Sequence, residues 1–378
     1  MGRRMKLLHT ADLHIGKMMF DFSLYEDQEY ILNQILDIAK KEQVDVIVLA
    51  GDIYDRSIPS AEAVTLFDTF LTGCVKAGIT TMVISGNHDS PERLSFGEKL
   101  FEKNGLYIAG NFHGQIKKVE LMDAYGKVNF YLLPFVRPGQ VGAKTEAEGV
   151  EKIIKEASSI NKNERNVLIT HYFVGGKDSV PETSESENIV YVGGIDMVSP
   201  TLFKDYDYVA LGHIHKSQKI GQGNVYYSGT PLAYSFSEGS NKSVRIVELK
   251  NKEEISVKQV SLIPLREVRT IKGNLWELVK EEVASLENRE DYIRAILTNE
   301  EALMEPMSVL RSVYPNAMEI VLERKKLATA NQKEQIRNRQ NKAGIELFQE
   351  FYQDVQDEQL SEQQLQTAEE IMKAAMLE

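Results

Sequence analysis

Cysteine is nearly absent from this chain of 378 residues, which holds a single one, Cys74. A lone thiol excludes a disulfide framework and suits a reducing compartment. Its place with Val64, Phe67, Phe70 and Leu71 on the apolar side of a helical pattern makes it core rather than nucleophile. Long hydrophobic runs are missing as well. The longest, such as residues 44–50, fall far short of the roughly 20 apolar residues that a membrane-spanning helix needs, so no membrane association is expected. The opening Met1-Gly2-Arg3-Arg4 has no apolar signal region, and Met5 would serve equally well as the start, so the expected location is cytoplasmic. Positive charge is not in excess either, with 44 Lys and Arg against 56 Asp and Glu and a formal net charge of −12. Counterion release on nucleic acid requires clustered cations, so bulk coating of DNA is excluded and any contact with it must be local. No Walker A sequence occurs. If ATP drives this protein, another chain binds it.

What the chain does contain is chemistry-bearing residues in ordered clusters. Asp12-Leu13-His14, Gly51-Asp52-Ile53-Tyr54-Asp55, Gly86-Asn87-His88-Asp89, His171 and Gly212-His213-Ile214-His215 follow one another, and five of the seven histidines fall inside them. Most follow a short apolar run of strand type (6–10, 44–50, 80–84, 167–170, 208–211), which predicts ligands gathered at one edge of a sheet. The donors are carboxylate, amide oxygen and imidazole with no thiolate. Such a set favours Mn²⁺ or a similar octahedral ion over tetrahedral zinc. Two ions roughly 3.5–4 Å apart need a carboxylate between them, and Asp52 is the expected bridge. Asp12, His14 and His215 are assigned to one ion, and Asn87, His171 and His213 to the other. Alternation along an extended strand end sends His213 and His215 to the same side. His88, beside the ligand Asn87 and not needed as one, is the expected proton donor to a leaving alkoxide, with Asp89 fixing its tautomer and Asp55 close by. His9, within the first strand, and His113, in a glycine-rich turn, are read as structural. Gly221-Gln222-Gly223 is read as a hairpin turn.

Residues 5–265 alternate short strands with amphipathic helices, an α/β pattern whose expected form is a β-sandwich flanked by helices. A compact α+β module follows, with strand patterns at 268–271, 292–297 and 317–322 and helical patterns at 275–286 and 303–313. The boundaries expected are 1–265 for the catalytic domain, 266–325 for the small module, 326–343 for a polar linker and 344–378 for a helical region. The stretch that leads into and through the linker is basic, with Arg324, Lys325, Lys326, Lys333, Arg337, Arg339 and Lys342. In the last region Leu347, Phe348, Phe351, Tyr352 and Val355 share one helical face, and Leu365, Ala368, Ile371, Met372, Ala375 and Met376 another. Ser361-Glu362-Gln363-Gln364 between them fits a capping box, and Leu360 with Leu365 a hydrophobic staple. Such a hairpin suits either docking on its own chain or a groove or coiled coil of a partner.

Taken together, the residues resemble the calcineurin-like metallophosphoesterases, and within them the nuclease subunits of bacterial double-strand-break repair complexes. The resemblance runs from Leu8-His9-Thr10-Ala11-Asp12-Leu13-His14-Ile15-Gly16 through Asp207-Tyr208-Val209-Ala210-Leu211-Gly212-His213-Ile214-His215 to Tyr227-Ser228-Gly229-Thr230-Pro231. The loop with Ser184-Glu185-Ser186-Glu187 also looks like this branch. The resemblance implies an enzyme using two Mn²⁺ ions, Mg²⁺ replacing them in vitro, that acts as a 3′ to 5′ exonuclease on double-stranded DNA and an endonuclease on single strands and hairpins. It places the metal ligands and the catalytic histidine on the positions already named, with His88 as the latter, and makes 266–325 a capping domain that positions DNA. It further implies an SMC-like ATPase partner docked on Leu347, Phe348, Phe351, Tyr352, Ile371 and Met372, and a homodimer within a heterotetramer. Asp55 departs from the pattern: archaeal and eukaryotic relatives carry a histidine there, so that histidine's role does not carry over. A phosphomonoesterase or cyclic-nucleotide phosphodiesterase would use the same centre, and a DNA-end scaffold would need a broken one.

Overall fold

The computed structural model describes residues 4–156, 160–176, 179–187, 197–252, 254–323, 352, 361, 364–365 and 367–368. The chain divides into two compact units, Met1–Leu322 and Glu323–Glu378.

The first unit is built on two six-stranded sheets. One runs Ile255–Ser261, Ser243–Leu249, Met5–Thr10, Val46–Ala50, Thr80–Ile84, Leu106–Ala109, and its last four strands are parallel. The other runs Gln218–Ile220, Val225–Tyr227, Tyr208–Gly212, Arg165–His171, Gly126–Leu132, Lys117–Asp123, with the middle four parallel. Leu7, Val46, Val48 and Met82 of the first pack with Phe130, Val167, Ile169 and Ala210 of the second, so the inner faces form one core. The opposite face of the first sheet, Leu8, Ile47, Leu49 and Val83, is covered by Ile31, Leu32 and Ile35 of helix Tyr25–Lys41 and by Leu66, Phe67 and Phe70 of helix Ala61–Lys76. Val150 and Ile153 of helix Glu146–Glu156 cover the second sheet. Strands buried on both faces read as unbroken apolar runs, which is why residues 46–50 carry no alternation. Each such Val, Ile or Leu stabilises the sandwich by about 1.5–3 kcal/mol. Cys74 and His9 are fully buried, and His9 bonds the Tyr208 hydroxyl and the Leu211 carbonyl, as a structural histidine should. Val64 departs from expectation. It is 45% exposed, because the buried stripe of its helix runs through Ala63, Leu66, Phe67, Phe70 and Cys74. Residues 221–223 do turn a hairpin, between Gln218–Ile220 and Val225–Tyr227.

Beyond the sandwich lies a small parallel sheet of Val268–Gly273, Tyr292–Leu297 and Ala317–Leu322, with its own core of Leu275, Leu278, Ile293, Ala295, Leu297, Leu310 and Tyr314. The expected helix at 275–286 breaks into Leu275–Leu278 and Glu281–Ala284, because Lys280 between them is extended. The one expected at 303–313 shortens to Pro306–Arg311, since proline is accepted only in the first turn of a helix. This module rests on the sandwich through buried Asp27, which accepts from Arg266 Nη1 and from the Tyr292 hydroxyl, both at 2.7 Å. Arg294 also lies over the Phe236 ring and Arg311 over that of Phe22.

In the second unit the capping box is formed. Ser361 donates its N–H to Gln364 Oε1 at 2.9 Å, and the Gln364 N–H returns to Ser361 Oγ at 3.4 Å. Tyr352 accepts from Gln364 Nε2 through its hydroxyl. Leu347, Phe348, Phe351, Leu360, Ile371, Met372 and the basic residues from Arg324 to Lys342 lie outside the described residues.

Candidate metal centre

Every ligand position expected from the sequence stands at or just past the C-terminal end of a parallel strand. Asp12 and His14 follow Met5–Thr10, Asp52 follows Val46–Ala50, Asn87 and His88 follow Thr80–Ile84, His171 ends Arg165–His171, and His213 and His215 follow Tyr208–Gly212. The sequence pointed to the edge of one sheet. The structure uses the facing edges of two, and the seam between them brings residues 200 positions apart into contact. The loops turn sharply to do so. Asp12, His14, Asp52 and His213 all have positive φ, 54°, 43°, 49° and 99°. Gly86 is obligatory, because a Cβ there would run into the Asp52 carboxylate.

Two groups of donors result. In one, His14 Nε2 and His215 Nε2 face each other at 3.3 Å, and Asp12 joins them within reach of a single ion. In the other, Asn87 Oδ1 lies 3.1 Å from His171 Nε2 and 3.0 Å from His213 Nδ1. Asp52 stands between: its Oδ2 is 3.2 Å from His171 Nε2 and 3.8 Å from His14 Nε2, while Oδ1 accepts the His88 N–H at 2.9 Å. Adjacent ligands on one octahedral ion stand about 3 Å apart, so these separations match shared coordination. Asp12 Oδ2 is buried with no hydrogen-bond partner, and such an atom calls for a cation. The donor set and spacing therefore fit two divalent ions.

Electrostatics follow from burial and from one another. Burial raises the Asp12 carboxyl, opposed by the charges of His171 and His215. Burial would also raise Asp52, yet His171, by charge and hydrogen bond, holds it well below the usual range. His171 is the converse: burial would lower it, and Asp52 lifts it to about 9. His213, buried and next to His171, falls to about 3.

His88 is placed by the backbone. Its Nδ1 lies 3.0 Å from the Asp55 carbonyl, so that carbonyl, and not Asp89, fixes the tautomer. Asp89 has another task. It accepts the main-chain N–H groups of Ile53 at 3.1 Å, Tyr54 at 2.9 Å and Gly86 at 2.9 Å, stapling the loop of Asn87 to that of Asp52. The Asp55 carboxylate pairs with Lys17 Nζ at 2.8 Å and lies 3.6 Å from His14 Nδ1. Sequence reasoning missed Gln28, which donates to the His14 carbonyl at 2.7 Å and accepts from the Gly16 N–H, holding the first loop. It also missed Glu238, which reaches His215 Nδ1 at 3.1 Å. Neither sits beside a recognisable cluster. Glu187, inside the loop singled out in the sequence, accepts the His215 N–H at 2.6 Å.

The sequence pattern of the calcineurin-like phosphoesterases matches residues 5–217, and that described as a Type 5 capsule protein repressor C-terminal domain matches residues 264–356. The chain is 37% identical over 325 residues to the SbcD subunit of the nuclease SbcCD of Staphylococcus epidermidis, covering 83% of this chain and 84% of that one. It is 33% identical over 384 residues to the protein of the same name in Staphylococcus saprophyticus, covering 99% of both. Among solved structures, a dimetal phosphatase from Danio rerio aligns over 68% of this chain and 99% of its own, with a TM-score of 0.38 and 12% identity.

Proposed function

Because this chain belongs to the calcineurin-like phosphoesterases, and within them to the family of SbcD subunits of the nuclease SbcCD, we propose that it is a Mn²⁺-dependent DNA nuclease working with an SbcC-type ATPase. The reading is of a 3′ to 5′ exonuclease on duplex ends and an endonuclease on single strands and hairpins, serving DNA repair and recombination in the bacterial cytoplasm. The observation that carries it is the arrangement of six candidate ligands in two groups about Asp52. When bound, two divalent ions activate water and neutralise the charge that develops on a phosphodiester under attack. Asp12, His14 and His215 would hold one, Asn87, His171 and His213 the other, and Asp52 would serve both. Mg²⁺ would replace Mn²⁺ in vitro, since the set is oxygen and imidazole. His88 then serves the leaving oxygen. Its Nδ1–H donates to the Asp55 carbonyl, so the proton for the leaving oxygen would come from Nε2 of the doubly protonated ring, which returns to the neutral Nδ1–H form.

The rest of the chain suits a polymeric substrate and an assembly. Residues 266–325 act as a cap that positions DNA, supported by the module's contacts with Phe22 and with Phe236, whose loop also carries Glu238, the partner of His215 Nδ1. Residues 326–343 link it to 344–378, whose apolar faces serve the ATPase. A homodimer within a heterotetramer follows from the family resemblance alone.

End-labelled duplex DNA digested by the purified chain with Mn²⁺, Mg²⁺ or EDTA tests the reading, with His88→Ala alongside and a phosphomonoester as competing substrate. Expected is Mn²⁺-dependent shortening that falls by about 10²-fold or more in His88→Ala while metal content stays the same. Hydrolysis of the monoester with DNA left intact would instead make the protein a small-molecule phosphatase.

A further inference from the structure

His215 is the ligand whose orientation the backbone alone does not fix. Its Nε2 faces His14 Nε2 at 3.3 Å, and its Nδ1 points away from the centre, toward Ser186 Oγ at 2.8 Å and Glu238 Oε1 at 3.1 Å. Glu238 is itself held from several sides. Ser186 Oγ donates to its Oε1, Lys242 Nζ pairs with its Oε2, and Thr230 Oγ1 donates to the same oxygen at 3.0 Å. Lys242 closes the ring on Thr230 Oγ1 at 2.6 Å. The Glu238 and Lys242 side chains are only 3% and 8% exposed.

Burying a carboxylate and an ammonium together costs several kcal/mol per ion before their attraction returns it, and an apolar pair of similar volume often stabilises as well. The pair is therefore poorly explained as a stabilising device. It is well explained as a means of keeping an anionic acceptor fixed against one imidazole nitrogen. An imidazole carries one proton when neutral, and an acceptor at Nδ1 keeps that proton there, so the Nε2 lone pair is free for an ion. The other rings differ: His171 Nδ1 faces the Ala50 carbonyl at 2.8 Å, a main-chain acceptor, and His14 Nδ1 has the Asp55 carboxylate at 3.6 Å, beyond hydrogen-bond reach.

We infer that Glu238, held by Lys242, Thr230 and Ser186, is a positioning residue that sets the tautomer and aim of His215, and so governs the affinity of one of the two metal sites without touching the other. The inference rests on the two-metal reading. The loop that carries Glu238 also bears Phe236, on which Arg294 of the small module lies. The support of His215 is thus continuous with the seat of that module.

The test is a Mn²⁺ titration of the full chain by calorimetry, with bound metal counted by mass spectrometry, on wild type, Glu238→Gln and the double variant Glu238→Leu/Lys242→Met. The double variant removes the ion pair as a pair and leaves no unpartnered buried charge; Glu238→Gln keeps an oxygen acceptor in place. Expected are two ions in wild type, one of them weakened by about 10–100-fold in the double variant and by less in Glu238→Gln, with the second ion unchanged. Unchanged affinities for both ions, or equal weakening of both, would overturn the role of Glu238. Fewer than two ions in wild type would overturn the two-metal reading instead, and the two failures are therefore distinct.

Discussion

The two halves of the centre each join two histidines to one oxygen ligand, and they are held in different ways. Around His171 the supports are main chain: the Ala50 carbonyl on Nδ1 and the His88 N–H on the shared Asp52. Around His14 and His215 they are side chains: Asp55 with Lys17 beside one ring, Ser186 and Glu238 against the other. A ligand fixed by strand backbone is as rigid as the sheet and cannot be loosened by replacing a neighbour. A ligand fixed by side chains can be tuned by substitution, one partner at a time. The first half is an outcome of the fold; the second is adjustable within it.

Asp52 is where the comparison breaks down, since it serves both halves. Asp52→Asn removes the charge between two cations and is expected to weaken both ions, by at least about 100-fold each, as read by metal content after dialysis. Loss of one ion alone would remove Asp52 from its bridging place. Next in size is Asp89→Ala, which strips the acceptor from the N–H groups of Ile53, Tyr54 and Gly86 and should cost about 3 kcal/mol or more in urea unfolding of the metal-free chain. A smaller loss would mean that the two loops hold their places without the staple. The mildest test uses pH. Asp52 raises His171 to about 9, so at pH 7–8 the metal-free ring carries a proton that a bound ion must displace. Mn²⁺ binding to that half should release a proton and strengthen by about tenfold per pH unit up to about pH 9, then level off. Titration in buffers of different ionisation enthalpy measures the release, and a flat profile would contradict the pairing.

Much of this was legible in the sequence because the ligands are polar residues placed straight after strands that cannot be anything else. Asp12, His14, Asp52, Asn87, His171, His213 and His215 come together where the pattern put them, and residues 292–297 and 317–322 are strands to the residue. The partition into two facing sheets was not legible, since strands buried on both faces give the same apolar run whichever sheet they join. The supports were also hidden. Glu238 lies 23 positions from His215 and Gln28 lies 14 from His14, and nothing local marks an acid or an amide as buried. Assigning Asp89 to the tautomer of His88 followed from adjacency alone. In the folded chain the Asp89 side chain turns back to the loop of Asp52, and the carbonyl that reaches His88 comes from 33 positions away.

The positive φ angles at Asp12, His14, Asp52 and His213 also bear on how this protein evolves. An L-residue in the left-handed region costs about 1–2 kcal/mol, and glycine avoids that cost. Selection for stability alone would drift these four positions toward glycine. Aspartate and histidine at these positions place the centre under a standing conflict between folding and chemistry, one that a bound ion relieves by favouring the folded chain.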